Sequence, residues 1–324
     1  MRLTSDYCVF IRTLWRNDLD LVLINPSLNF SGFSRDYIFY LIAKLLRKKT
    51  IVLFRGWDDN YAKEVFTGKF RYFSCPLRNT DGFIVLAKCF RDTITSRLKT
   101  SRVSVESTIF DERILPQGYG ALSTLKNSNE KIRLLFLSRI EADKGIYASI
   151  AAYKALRAKN VNVEIVIAGD GSEASNIQRM IAEHDDEGLR YLGRISGAEK
   201  ANALLSSSVL LFPSMHAEGT ANTVLEAMGC GLAVLTTRVG GISDFFVGDL
   251  MGAELEGDLT QGIVGAVSAL ASDNARLKSI SEYNYSFATQ YFHSAKVVER
   301  LDHIIDSVIY NSDCGSFWYE SEAR

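Results

Sequence analysis

The sequence predicts an α/β protein built from two doubly wound parallel-sheet domains. Three features carry that prediction. Short, continuously apolar runs recur along the chain, which is how strands buried on both faces of a parallel sheet read. Segments of helical period separate them, and strand–helix alternation marks a doubly wound sheet. The alternation pauses once, at the Gly-, Ser- and Asn-rich residues 117–130, and then restarts; 324 residues exceed one typical core and fit two.

Taken in order, the first half opens on a helical stretch, Tyr7–Arg16, followed by a strand at Leu19–Asn25. Ser34–Lys48 reads as an amphipathic helix, with Ser34 as its cap and Tyr37, Leu41 and Leu45 at helical spacing. Strands at Ile51–Phe54 and Gly82–Leu86 each lead into a helical segment. With 117–130 as linker, residues 1–125 and 130–290 are the expected domains. The second half reads as strand Ile132–Leu137, helix Ile146–Ala158, strand Val163–Ile167, helix Ser172–Glu183 and strand Leu189–Leu192. A helix from about Gly197, strand Val209–Phe212, helix Ala221–Met228 and strand Leu232–Leu235 follow, and the tail Ser294–Ile309 is amphipathic.

The five cysteines are odd in number and lack CxxC spacing; Cys8, Cys75, Cys89 and Cys230 lie in apolar surroundings, as reduced core thiols would. No signal peptide is visible, and no apolar run approaches the roughly 20 residues that cross a bilayer. A cytoplasmic location is therefore expected. The formal charge of −1 conceals a split: residues 1–128 carry 20 Lys and Arg against 12 Asp and Glu, whereas residues 129–324 carry 17 against 26. A basic half suits an anionic membrane face or a phosphate-bearing acceptor, with uneven scatter of surface charge as the alternative. Nucleic acid is not an expected partner, because the basic residues are dispersed and no recognition motif accompanies them.

The chemistry is expected around Glu218 and Glu226, separated by seven residues in Met215-His216-Ala217-Glu218-Gly219-Thr220-Ala221-Asn222-Thr223-Val224-Leu225-Glu226-Ala227-Met228. The pair straddles the junction between the strand ending near Pro213 and the next helix, and ligands of open parallel sheets bind beyond the carboxyl ends of strands. Gly219 and Thr220 are poor helix formers, so Glu218 belongs to the loop, with Thr220 or Asn222 as candidate N-cap. Glu226 falls about one turn into the helix, near amides that attract anions. Two carboxylates at this spacing are by themselves weak, since a solvated helix face gives the same pattern.

With the preceding strand, Pro213, Gly219, Asn222, Ala227-Met228 and Gly240-Gly241 in order, the segment resembles the retaining glycosyltransferases of family 4, which have the GT-B fold: two Rossmann-like domains facing a cleft. The resemblance is strong over residues 130–250. It implies that Glu226 holds the ribose hydroxyls of a nucleotide-sugar donor, most often a UDP- or GDP-sugar, and that Glu218 contacts the transferred sugar. It also implies that Gly219, Thr220 and Ala221 offer backbone amides beside Asn222, and that the final helix crosses back onto the first domain. Arg139 and Lys144, in Leu137-Ser138-Arg139-Ile140-Glu141-Ala142-Asp143-Lys144-Gly145, look like the family's diphosphate-binding pair. Fixed cations there stabilise a leaving group that gains negative charge. The alternative is a surface ion pair with Glu141 or Asp143. Gly169 and Gly171 stand where the family has a Gly-x-Gly turn near the nucleotide; alone they indicate a tight turn. Arg194 follows a segment like the one that flanks the nucleobase, and either reaches the base or faces solvent. His216 either lines the pocket or packs the loop.

The first half departs from the family. A first strand–loop–helix unit is not apparent, so the amino-terminal domain is expected to be small, with an exposed sheet edge or apolar flank. Arg55 stands where relatives often place a His, and arginine cannot act as a base at neutral pH. Arg55, Trp57, Ser27 and Arg35 are the candidate acceptor contacts, with ion pairing of Arg55 to Asp58 and cleft filling by Trp57 as alternatives. Asp18-Leu19-Asp20 matches a metal-binding DxD pattern but precedes its strand, at the end away from ligands, and no other carboxylate or His cluster suggests a metal. The expectation is a metal-independent, retaining glycosyltransferase without a bound cofactor, working on a carbohydrate or lipid-linked acceptor, with possible peripheral contact to the inner membrane face. The alternatives are a catalytically impaired subunit that binds nucleotide and partners another transferase, and a phosphorylase or sugar-nucleotide epimerase on the same scaffold.

Overall fold

The computed structural model describes residues 2–28, 30–115, 118–126, 131–183, 186–215 and 219–312. In chain order the first half contains α1 (Arg2–Arg16), β1 (Leu21–Ile24), β2 (Ser27–Leu28), α2 (Phe30–Leu45), β3 (Lys49–Phe54) and β4 (Gly56–Trp57). It continues through α3 (Asp59–Phe66), α4 (Ser74–Leu77), β5 (Gly82–Val85), α5 (Lys88–Leu98) and β6 (Val103–Val105). The second half contains α6 (Tyr119–Lys126), β7 (Ile132–Leu137), α7 (Ile146–Ala158), β8 (Val163–Ala168), α8 (Ala174–Ala182), β9 (Leu189–Tyr191) and α9 (Gly197–Leu205). After these come β10 (Val209–Phe212), α10 (Asn222–Gly229), β11 (Ala233–Thr236), α11 (Gly248–Met251), β12 (Gly252–Glu254), α12 (Leu259–Ser272), α13 (Asn274–Tyr291) and α14 (Ser294–Tyr310).

Every ladder is parallel. The first sheet has the order β1-β3-β5-β6, and a short β2-β4 pair lies beside it. The second has the order β12-β11-β10-β7-β8-β9. Its strands are largely apolar, with Arg133, Glu164, Arg190, Thr236 and Glu254 as exceptions, because helices cover both faces: one core layer holds Leu135, Leu210, Val224 and Val234, the other Phe136, Ile150, Ile165 and Ile263. In the second sheet the chain leaves β7 toward β8 and β9, then returns to the other side of β7 for β10, β11 and β12. Open parallel sheets bind ligands in the crevice at such a reversal, which here falls beyond the carboxyl ends of β7 and β10.

Several sequence expectations shift. The second helix begins at Phe30, so Ser34 lies inside it rather than capping it. Its buried face is Phe33, Tyr37, Tyr40 and Ala43, while Leu41 and Leu45 are exposed. Aromatic packing decides the rotation: Phe33 lies 5.5 Å from the Tyr37 ring, 5.5 Å from Phe73 and 6.4 Å from Phe54. Cys230 is buried, but Cys8, Cys75 and Cys89 are exposed; they sit on helices whose neighbouring turns, not the thiols, face the core. The segment read as linker contains α6, held because Leu122 is buried against Gly231 and Tyr119 meets Tyr285 of α13. Phe110 and Ile114 already belong to the second core, so the first domain's packing ends ahead of residue 125.

β1 is the edge strand of the first sheet, and Leu23 on it is 43% exposed. The outer side of α1 is also apolar and exposed at Val9, Ile11 and Trp15. α14 crosses back to this sheet. Leu301, Ile304, Ile305 and Val308 cover Ile51, Leu53 and Ile84, and Lys49 donates to the Val308 and Ile309 carbonyls at the helix end. Arg300 on α14 makes a two-pronged pair, 2.8 Å on each arm, with the buried carboxylate of Glu106 after β6.

Candidate donor site

The loops after β7 and β10 flank the crevice, and the backbone ties them together. The amide of Met215 donates to the Asp143 carbonyl at 2.8 Å, and Lys144 reaches Ser214 at 3.5 Å. Gly145 follows at φ +76°, and a Cβ there would stand 2.5 Å from the Pro213 carbonyl oxygen. Only glycine permits that approach. Lys144 is thereby held with 2% exposure between the two loops. Arg139 lies at the end of β7, largely exposed, and pairs with Glu141 at 2.8 Å. The surface pair weighed in the sequence is thus present. Exposed pairs of this kind contribute about 0–1 kcal/mol.

Gly169 and Gly171 close the end of β8 against this loop. A side chain at Gly169, φ +145°, would collide with the Ser138 carbonyl oxygen, and one at Gly171 with that of Ile140. Their requirement is close approach of two backbones beneath Arg139. Arg194 is exposed on the turn after β9.

The segment leading into α10 is pressed against the first domain. Thr220 is buried and donates its hydroxyl to the Leu86 carbonyl at 3.2 Å. Gly219 packs on the Leu86 side chain, and a Cβ at Gly241 would strike the Leu86 carbonyl. The helix N-cap is Ala221, not Thr220 or Asn222, and it makes no side-chain cap hydrogen bond. Thr220 is turned to Leu86, and the Asn222 side chain accepts from Thr108. The first-turn amides therefore have no side-chain cap from either residue. Glu218 and His216 lie outside the described residues.

Glu226 sits on α10 among Val224, Leu225, Ala227 and Met228, all buried, and is itself 4% exposed. Lys200 on α9 lies 2.7 Å from Oε1, where it donates a hydrogen bond, and 2.6 Å from Oε2. The Oε2 contact is an ion pair only; that oxygen accepts no hydrogen bond among the described residues. Burial pushes the Glu226 carboxyl above the ordinary range, and Lys200 opposes the shift. Lys200 was not legible as a site residue: it precedes Glu226 by a helix turn, a strand and a loop, with no motif linking them.

On the first domain, Arg55 is exposed just past β3 and makes no ion pair with Asp58, whose side chain instead caps α3. Trp57 stacks on Phe90 at 4.3 Å and donates to Asp59, so one ring face is filled by the protein. Ser27 lies exposed on β2 opposite Gly56, and Arg35 pairs with Asp36 through two hydrogen bonds. A domain contact missed in the sequence is Asp244, whose carboxylate accepts the Lys88 amide at 2.6 Å, at the start of α5. Asp18 and Asp20 lie at the amino end of β1. Among the described residues no group of three or more His, Cys, Asp or Glu side chains is placed to hold a metal ion. No helix among them is long and apolar enough to cross a membrane.

The family model for glycosyl transferases group 1 matches residues 123–287, half of the chain. An uncharacterized glycosyltransferase of Methanocaldococcus jannaschii is 22% identical over 91% of this chain and 77% of its own length. The phosphatidylinositol N-acetylglucosaminyltransferase gpi3 subunit of Schizosaccharomyces pombe is 25% identical over 94% of this chain, which spans 64% of that relative. Among solved structures, Anabaena HepE in complex with UDP-glucose superposes with a TM-score of 0.71 at 14% identity, covering 93% of this chain and 81% of that one. That likeness is one of fold, and the architecture is GT-B: two Rossmann-like domains with parallel sheets.

Proposed function

The chain belongs to the group 1 glycosyl transferases, and from that premise we propose that it moves a sugar from a nucleotide-sugar donor to a hydroxyl acceptor, with retention of anomeric configuration and without a metal. One observation carries the reading. The cation-bearing loop after β7 and the carboxylate-bearing segment after β10 flank the single reversal of the second sheet, stitched together at Gly145–Pro213 and Asp143–Met215.

In this proposal Arg139 and Lys144 take the diphosphate, helped by the amides of Gly219, Thr220, Ala221 and Asn222. Their charge matters more as the sugar–phosphate bond breaks, because the leaving phosphate then becomes more negative. Glu226 accepts the ribose hydroxyls, and Glu218 contacts the transferred sugar. A UDP- or GDP-sugar fits the site, and the UDP-glucose bound by HepE supports that choice. In the same reading Arg55, Ser27, Trp57 and Arg35 contact the acceptor. The product belongs to polysaccharide or glycolipid synthesis, in keeping with the phosphatidylinositol-modifying relative. Peripheral contact with an anionic membrane is supported by exposed Trp15 beside exposed Arg12 and Arg16 on α1.

The test is thermal-shift titration with UDP, GDP and ADP, with and without EDTA, followed by incubation with the matching donor sugars and lipid-linked acceptors, and co-sedimentation with anionic vesicles. Stabilisation by one diphosphate, unaffected by EDTA, together with turnover is expected. An absolute need for a divalent cation overturns the metal-free assignment. Stabilisation without turnover marks a nucleotide-binding partner subunit instead.

A further inference from the structure

Within α10, Glu226 is the charged residue of a buried set that is otherwise apolar or glycine. A desolvated carboxylate in such a place favours its neutral form unless a cation accompanies it. Lys200 provides that cation from α9, the helix between β9 and β10. Its ammonium lies 2.7 Å from Oε1 and 2.6 Å from Oε2 of a side chain that is 95% buried, so one cation holds the whole carboxylate in place.

We propose that Lys200 is a positioning residue of the donor site: it holds the Glu226 carboxylate as an anion in a fixed orientation, from which it accepts the vicinal hydroxyls of a nucleotide ribose. The inference rests on the donor-site reading above and adds to it a residue that touches neither phosphate nor sugar. Lys200 acts only through Glu226. The charged groups that act on this carboxyl are Lys200 on α9 and Asp111 in the crossover segment, the first lowering and the second raising its affinity for a proton. With Lys200 removed, burial and Asp111 are left unopposed. Proton uptake by Glu226 then begins at higher pH, and the carboxylate is lost as pH falls through that range.

The experiment compares UDP and 2′,3′-dideoxy-UDP (or the GDP pair, should wild type prefer it) by calorimetric titration between pH 5 and 8. Lys200→Met is expected to weaken UDP roughly 10- to 100-fold, the scale of hydrogen bonds to a charged group. Its binding of the dideoxy compound should match wild type, and the acidic limb of UDP binding should move to higher pH. Lys200→Arg should restore most of the UDP affinity. The double variant Lys200→Met/Glu226→Gln removes the buried charge with its partner, so it guards against a folding failure of the single variant; it should bind both nucleotides alike. Equal weakening of UDP and dideoxy-UDP by Lys200→Met would mean a structural role and overturn the proposal. So would unchanged UDP affinity and pH profile. Failure of wild type to bind any nucleoside diphosphate would instead remove the donor site itself, and the role of Lys200 with it.

Discussion

In the carboxyl-terminal sheet the chain turns back at β10 and fills the other side of β7; in the amino-terminal sheet it advances from β1 to β6 without turning back. Both sheets use short, parallel, largely apolar strands, yet only the second has a reversal, and there the loops after β7 and β10 meet at Asp143–Met215 and Gly145–Pro213. In the second half Arg139 and Lys144 follow β7 and Glu226 lies on α10 after β10, all beyond the carboxyl ends of their strands. The first half offers a covering surface: Leu86 and Thr108 meet the segment before α10, and Lys88 meets Asp244. The same strand recipe is wound in two ways, and the reversal belongs to the second half alone.

The strongest way to break this division is to damage the close backbone contact in the second half. Gly169→Ala places a Cβ against the Ser138 carbonyl at φ +145° and should cost about 4 kcal/mol, among the large values that strain and steric conflict produce. Gly193→Ala is the control: φ is +67° with nothing within 4 Å of the added Cβ, so the cost should be about 1 kcal/mol. Urea unfolding midpoints measure both. Equal costs would show that the turn after β8 is not pinned to the β7 loop.

Next in size is the crossing of α14. Arg300→Ala strands the buried Glu106 carboxylate without its partner and should cost about 3 kcal/mol. If the halves divide their work as proposed, UDP affinity of the folded variant should stay within about twofold of wild type, because sites without shared partners behave additively. A large loss of UDP binding with an intact fold would show that α14, and not the second sheet alone, shapes the donor pocket.

Legibility followed the same division. Strands β7 and β10 match the sequence reading at both ends, because Lys131 and Ser138 bound the one apolar run and Ser208 and Pro213 the other. The loops bearing Arg139 and Lys144 were likewise legible, since strand ends fix where they stand. The first half was harder to read. In α2 the stripe of Tyr37, Leu41 and Leu45 suggested the apolar face; Tyr37 is buried, but Phe33 and Tyr40 replace the two leucines beside it, held by contacts such as those of Phe33 with Phe73 and Phe54, distant in sequence. Contacts between elements were also illegible: Lys200 with Glu226, Asp244 with Lys88, and Arg300 with Glu106 join residues 26, 156 and 194 positions apart. No local periodicity encodes such pairs. The N-cap of α10 failed for a related reason, because Thr220 and Asn222 spend their side chains on Leu86 and Thr108 across the cleft.

The smallest expected effect concerns that cleft. Asp244 accepts the Lys88 amide at the start of α5, where Ala87 supplies no side-chain cap, so the second half caps a helix of the first. Asp244→Ala should cost about 1 kcal/mol, as loss of a helix cap does. Its pH dependence has a definite sign. Burial raises the Asp244 carboxyl above the ordinary aspartate range, although the Lys88 amide and the charges of Lys88 and Arg91 pull it down. The folded state therefore holds this proton more tightly than the unfolded chain does. The stability linked to that proton is fully present below the unfolded pKa and is lost as pH rises through the raised folded one. The cost of Asp244→Ala should accordingly be greatest at low pH and shrink toward neutrality, as read from unfolding free energies across the acid range. A cost that grows with pH would mean that the ionised cap outweighs burial, making the contact between the halves an electrostatic latch strongest at neutral pH.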